Sequence, residues 1–258
     1  MRMRFKPYAR PELLACDFHV HEPLTHGGHW HELYARPDQP WHLELGCGKG
    51  GFLAQIAPAH PDINYLGIDI TDKVLILAKR KVEAAYAARG IPADNVKIAS
   101  LDIERLGNAF TPEDRVSRIY INFCNPWSKN AGSNKHRLTH PRQLLQYRAL
   151  MPEGSEIYFK TDDDDLFRDS LEYFPASGYD IEWMTFDLHE NEPEWNIRTE
   201  HEGMFTEMGI KIKALIARKK PGDDSVTWIE PKVLKRMARE AAEAESAAKA
   251  AQEGESNV

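Results

Sequence analysis

The sequence predicts an α/β protein with a Rossmann-like, mostly parallel sheet of seven strands and helices on both faces. Three observations lead there. From about residue 41 short apolar runs alternate with segments of helical spacing, the pattern of parallel strands joined by crossover helices. The first run ends in closely spaced glycines, "LELGCGKGG", which open the next helical segment. The last two runs, "YDIEWMTFDL" and "IKIKALIARK", read as a closing strand pair.

In order, "WHLELG" is the first strand and "GGFLAQIA" the first helix of this domain. "INYLGIDI" follows as a strand and "DKVLILAKRKVEAAYAARG" as a long helix, with Gly90 where a left-handed cap belongs. "NVKIASLDI" and "VSRIYINFCN" are the third and fourth strands. "PRQLLQYRALMP" is a helix stopped by Pro152, "SEIYFKT" the fifth strand, and "DDDLFRDSLEYF" a helix before the closing pair.

Two flanks stand apart. Residues 1–40 form a Pro- and His-rich, locally basic arm with a short helical stretch at "PELLA"; residues 41–218 are the main domain. Residues 219–258 are an Ala/Glu/Lys-rich tail, helical or disordered. Among 258 residues the formal charge is -7 and 42% are hydrophobic, which suits one sizeable domain plus extras or two small ones and argues against a protein coated in positive potential without excluding nucleic acid. Cys16, Cys47 and Cys124 form no CxxC pair, which fits a reducing, cytoplasmic setting. No apolar run reaches membrane-span length. The histidines at 19, 21, 26, 29 and 31 lack the fixed spacing of a zinc site, so no metal is expected. Cys47 and Cys124 read as small packing residues.

The glycine turn admits two cofactors. Gly46, Gly48 and Gly51 satisfy the dinucleotide G-x-G-x-x-G, and Gly46, Gly48 and Gly50 the G-x-G-x-G of S-adenosylmethionine enzymes. Two acids sharpen the choice. Asp69 ends the second strand, where either cofactor presents ribose hydroxyls that want a bidentate acceptor. Glu44 lies inside the first strand, where a nicotinamide site is apolar but a sulfonium profits from an acid. Asp102, past the third strand, is placed to read an adenine amino group. Each acid has a plainer alternative, a helix cap or a solvent-facing strand residue. The expected class is a Rossmann-like S-adenosylmethionine methyltransferase fold.

Asn125, after the fourth strand, opens "NPWSK", and Lys129 to Arg148 carry five basic residues and no acid. The first ten residues add four basics, again without an acid. The two stretches are read as a phosphate-binding stripe. "MRMRFKPYA", "HLELGCGKGGF", "INYLGIDI", "IYINFCNPWSK", "HRLTHP", "YFKTD", "DLH" and "NIRTEHEGMF" occur in this order. Over residues 1–218 the chain thereby resembles the bacterial tRNA (guanine-N7)-methyltransferases of Gram-positive type. That resemblance implies methyl transfer from S-adenosylmethionine to N7 of a guanosine in the tRNA variable loop. It implies cofactor contacts at Glu44, Asp69, Asp102 and Asn125, beside the glycines 46 and 48, and substrate contacts at Lys129, Asp162, Thr199 and Glu202. The residues themselves leave alternatives. "TDDDD" also starts a helix well, and Thr199 with Glu202 also fits a capping box. The family usually has Asp where this chain has Asn125, so an inactive protein that binds S-adenosylmethionine and tRNA is the second reading. The sequence leaves monomer and homodimer open.

Overall fold

The computed structural model describes residues 6–127 and 131–222. In chain order the elements are α1 (Ala9–Leu14), β1 (His19–Val20), β2 (Trp41–Leu45), α2 (Leu53–Ile56), β3 (Asn64–Asp69), α3 (Asp72–Arg89), β4 (Val96–Ser100) and β5 (Arg118–Asn122). They continue with α4 (Pro141–Leu150), β6 (Glu156–Thr161), α5 (Asp164–Ala176), β7 (Tyr179–Thr185), α6 (Glu200–Glu207) and β8 (Lys213–Lys219).

All the described strands join one sheet in the order β1-β4-β3-β2-β5-β6-β8-β7. Pairing is parallel along the order from β1 to β6, and β8 pairs antiparallel with both β6 and β7. Among the described residues the sheet therefore has eight strands, one more than expected. The addition is β1, which pairs His19 with Ile98 and Val20 with Ala99. Two residues cannot display an alternating pattern, and these lie in a His-rich stretch.

The stretch before residue 40 packs on the same sheet. Glu12 of α1 meets Lys79 at 3.2 Å and Arg80 at 2.6 Å on α3. Trp30 is fully buried, stacked 4.8 Å from Phe110, and its indole donates to Ala109 O at 2.7 Å.

Branched and aromatic residues fill both faces, as a parallel sheet requires. Leu43, Leu45, Ile119, Ile121 and Phe159 pack toward Leu144, Tyr147 and Phe167 on one side. Tyr65, Ile98 and Tyr120 pack toward Leu53, Leu75 and Val82 on the other. Side chains alternate along a strand, so the register pairs Glu44↔Tyr120 and Asn122↔Lys160 place four residues on that second face. The chain runs outward from β2 through β3 to β4, then returns to β5 on the other side of β2. Ligands of open α/β sheets collect at the carboxyl ends beside such a reversal. No described helix is long and apolar enough to cross a membrane.

Candidate active site

A cleft of about 200 Å³ opens where β2 and β5 end, lined among others by Glu44, Gly46, Gly48, Asn122, Phe123 and His201. Its floor is the glycine turn. Gly46, Gly48 and Gly50 have φ of +77°, +54° and +73°, a region that favours glycine. They do different work. A Cβ on Gly46 would meet nothing within 4 Å, and one on Gly48 only Gly46 O at 3.9 Å, so both face open space. A Cβ on Gly50 would lie 2.7 Å from Ala78, so this glycine lets the turn press against α3. The positive-φ set is thus the G-x-G-x-G one; Gly51 is not among it.

Glu44 is 3% exposed. Its Oε1 accepts from Asn122 Nδ2 at 3.1 Å, whereas its Oε2 is buried with no partner among the described residues. Burial pushes this carboxyl up to about 7, with the Asn122 hydrogen bond and Lys160 pulling the other way. An orphaned, buried carboxylate oxygen is costly unless something cationic or hydrogen-bonding meets it. Asp69 stands on the adjacent strand; its Oδ2 accepts from Gly48 N at 3.1 Å and its Oδ1 from Thr71 N at 3.3 Å. Burial raises its pKa as well, against those hydrogen bonds. An open glycine cradle flanked by two under-compensated acids suits a ligand with a cationic centre beside sugar hydroxyls. The residues present therefore fit S-adenosylmethionine.

Farther along the same edge are two wider depressions, of about 620 and 580 Å³, sharing Ser100. Ile70, 64% exposed, borders the first, and Asp102 the second. Asp102 is also a helix cap, accepting from Glu104 N at 3.0 Å.

Asn125 lies three residues beyond β5. It is exposed, and its Oδ1 accepts from Trp127 N at 3.0 Å, an Asx turn. Trp127 at φ 51° and Phe123 at φ 55° are non-glycine residues held in left-handed conformations. Phe123 N donates to Lys160 O at 2.9 Å, and Arg137 Nε donates to Pro126 O at 2.6 Å. Such conformations persist only where the surroundings over-determine them. Lys129 lies outside the described residues.

The wall of the cleft opposite the glycine turn is the start of α6. Thr199 caps this helix, accepting from Glu202 N at 3.2 Å, and lines the cleft with Glu200 and His201. Glu202 is different. It is 0% exposed and lines none of the cleft. Its Oε2 accepts from Lys160 Nζ at 2.7 Å and Thr199 N at 3.5 Å. Its Oε1 accepts from Asn196 Nδ2 at 2.7 Å and lies 2.9 Å from His189 Nε2. Burial works to raise its pKa, but Lys160, Asn196 and His189 outweigh it and hold the carboxyl below its ordinary value. The capping-box alternative is thus realised. Asp162, just past β6, is half-buried, and burial raises its pKa. Its backbone carbonyl accepts from Lys213 Nζ at 2.9 Å.

The basic stretch divides. Lys135 and Arg142 are exposed, as is Arg10. Arg137 and Arg148 are each 2% exposed. Arg137 pairs with Asp169, and Arg148 donates to Gly178 O at 2.6 Å. These two are structural and leave the expected phosphate stripe; spacing in sequence cannot tell an outward arginine from one folded under its own loop. Cys47 and Cys124 are packing residues, their thiols pushed up by burial, that of Cys124 to about 12.

Sequence reasoning passed over Asn122, Phe123, Lys160 and His201. A signal existed for two of them. Asn122 and Lys160 are polar residues at inward positions of apolar strands, "RIYIN" and "EIYFKT".

Over residues 38–215 the chain matches the family model described as "Putative methyltransferase". It is 55% identical over 219 residues to the tRNA (guanine-N(7)-)-methyltransferase of Clostridium beijerinckii, covering 85% of this chain and 99% of the relative. To that of Ruminiclostridium cellulolyticum it is 50% identical over 221 residues, covering 85% and 93%. Among solved structures, the 16S rRNA methyltransferase KamB is similar in fold alone, with TM-score 0.52 and 13% identity over 85% of this chain and 96% of that one. A switch-point cleft with an open glycine cradle, and identity of half or more over 85% of the chain, place it in the tRNA (guanine-N(7)-)-methyltransferase family.

Proposed function

We infer that the protein transfers a methyl group from S-adenosylmethionine to N7 of a guanosine in the variable loop of tRNA. The observation that carries this reading is Glu44, a buried acid with one oxygen tied to Asn122 and the other unpartnered, beside an open glycine turn. When bound, S-adenosylmethionine supplies a methyl group activated by its sulfonium. Glu44 balances the cationic charge, and Gly46 and Gly48 let the backbone approach closely. Asp69 takes the ribose hydroxyls, and Asp102 the adenine edge.

N7 of neutral guanine carries a lone pair and no proton, so its attack needs no general base. Orientation and correctly aimed dipoles do the work. Asp162 accepts from the adjacent N1–H and N2–H₂ donors of the guanine. Thr199 borders the same space, and Lys129 holds a phosphate or O6. Asn125 supplies an amide carbonyl where the family usually has a carboxylate, enough to orient a ligand and weaker as an acceptor. The alternative of a binder without turnover finds no support in the relatives. A cytoplasmic enzyme acting on tRNA fits the reduced cysteines.

The test is methyl incorporation. Protein, labelled S-adenosylmethionine and unmodified tRNA transcript are incubated, and the digested nucleosides identified by mass spectrometry. N7-methylguanosine at one variable-loop position is expected. Label at another base, or none while both ligands bind, refutes the reading.

A further inference from the structure

We propose that Lys160 is a positioning residue which fastens the acceptor wall of the cleft to the sheet, and that Glu202 serves the reaction through Lys160 rather than by touching guanine. The proposal rests on the functional reading above, in that the wall formed by Thr199 to His201 receives the guanosine.

Lys160 sits in β6, in register with Asn122 of β5, and is 3% exposed. An ammonium has three N–H donors. Here all three are spent on one short segment of another element: Asn196 Oδ1 at 2.7 Å, Ile197 O at 2.9 Å and Glu202 Oε2 at 2.7 Å. That segment brackets Thr199, Glu200 and His201, the residues that line the cleft. The side chain also passes 5.9 Å from the ring of Phe123, which stacks toward His201. One buried lysine thus joins the strand beneath the cofactor side to the wall on the acceptor side.

Glu202 fits this role and no other in the present geometry. It is wholly buried, and both oxygens are committed within the protein. Carboxylate and imidazole atoms of His189, Glu192 and Glu202 lie within 4.8 Å of one another, a grouping that could suit a cation. The cations already serving it are the protein's own, Lys160 on Glu202 and Arg198 on Glu192 at 2.9 Å. A guanine edge reaching Glu202 would have to displace Lys160 from one oxygen or Asn196 and His189 from the other.

The experiment is a double-mutant cycle with Lys160→Met, Glu202→Gln and the charge-neutral pair. It reads Kd for S-adenosylmethionine, Kd for tRNA, and kcat/KM for tRNA. Misplacing a reacting group by about 1 Å costs about 100-fold. Each single variant is therefore expected to lower kcat/KM for tRNA by about 100-fold, with Kd for S-adenosylmethionine changed less than about threefold. Residues acting through one pair are not additive, so the double variant should be no worse than the poorer single one. Should the singles fail to fold, the charge-neutral pair decides, since it buries no unpaired charge; it must bind S-adenosylmethionine normally and be impaired with tRNA. Losses that multiply in the double variant would mean that Glu202 contacts the base independently and would overturn the proposal. So would a Lys160→Met enzyme with unchanged tRNA kinetics, or equal losses for both ligands. If the wild-type protein itself made no N7-methylguanosine, the functional reading would fall, and the tRNA Kd of the same variants would still decide the role of Lys160.

Discussion

The two sides of the cleft use buried carboxylates in opposite ways. On the glycine-turn side Glu44 has one partner and one orphaned oxygen, and burial lifts its pKa to about 7. On the α6 side Glu202 is wholly buried, yet four groups surround it and its pKa is held down. The difference separates a group kept short of partners, ready for a ligand, from one saturated by the protein and used as a joint. Burial alone would not have told them apart, since Glu44 in β2 and Glu202 in α6 are both withdrawn from solvent.

The largest expected effect breaks the saturated side. Lys160→Met strands the Glu202 carboxylate, and removing one partner of a buried ion pair costs about 3–5 kcal/mol; denaturant unfolding checks it. If Glu202 were loosely held, the loss would be small.

Glu44→Gln should sharpen the contrast by doing the reverse. Native Glu44 keeps its proton up to about 7, while the unfolded chain releases it near 4.5. Its contribution to stability is therefore complete below the lower value and lost as pH rises through the upper one. At pH of about 8 the glutamine variant should be more stable by about 1–3 kcal/mol, visible as a raised Tm. Its affinity for S-adenosylmethionine should fall about 10- to 100-fold, the worth of a hydrogen bond to a charged group.

Smaller effects follow at the rim. Asp102→Ala removes a helix cap and should cost about 1 kcal/mol, with a modest rise in KM for the cofactor. Asn125→Asp keeps the acceptor that holds Trp127 N and adds charge, so kcat should rise by less than about 10-fold, measured by methyl incorporation. The exposed Lys135, Arg142 and Arg10 should each reduce the salt slope of tRNA binding by about one when replaced by Ala. Arg137→Ala should instead lower Tm, because its partners are Asp169 and Pro126 O.

Much of this was legible in the sequence. Alternating strands and helices, the left-handed Gly90 at the end of α3, and the glycine turn before α2 are local signals. Glu44 stood out because a carboxylate interrupts an apolar strand. The two-residue β1 was not legible, since it exists only by pairing with β4. Nor was the fate of Glu202. Its sequence fits a cap and a ligand contact equally, and only the arrival of Lys160 from β6 decides between them. That contact spans 42 positions in the chain, beyond the reach of any local pattern.

The most direct test of the contrast is S-adenosylmethionine binding by calorimetry across pH of about 6 to 8, wild type beside Glu44→Gln. The wild-type affinity should strengthen as pH rises through about 7 and the variant should stay weak and flat. Equal, pH-independent affinities would contradict the claim that an acid left short of partners receives the cofactor's charge.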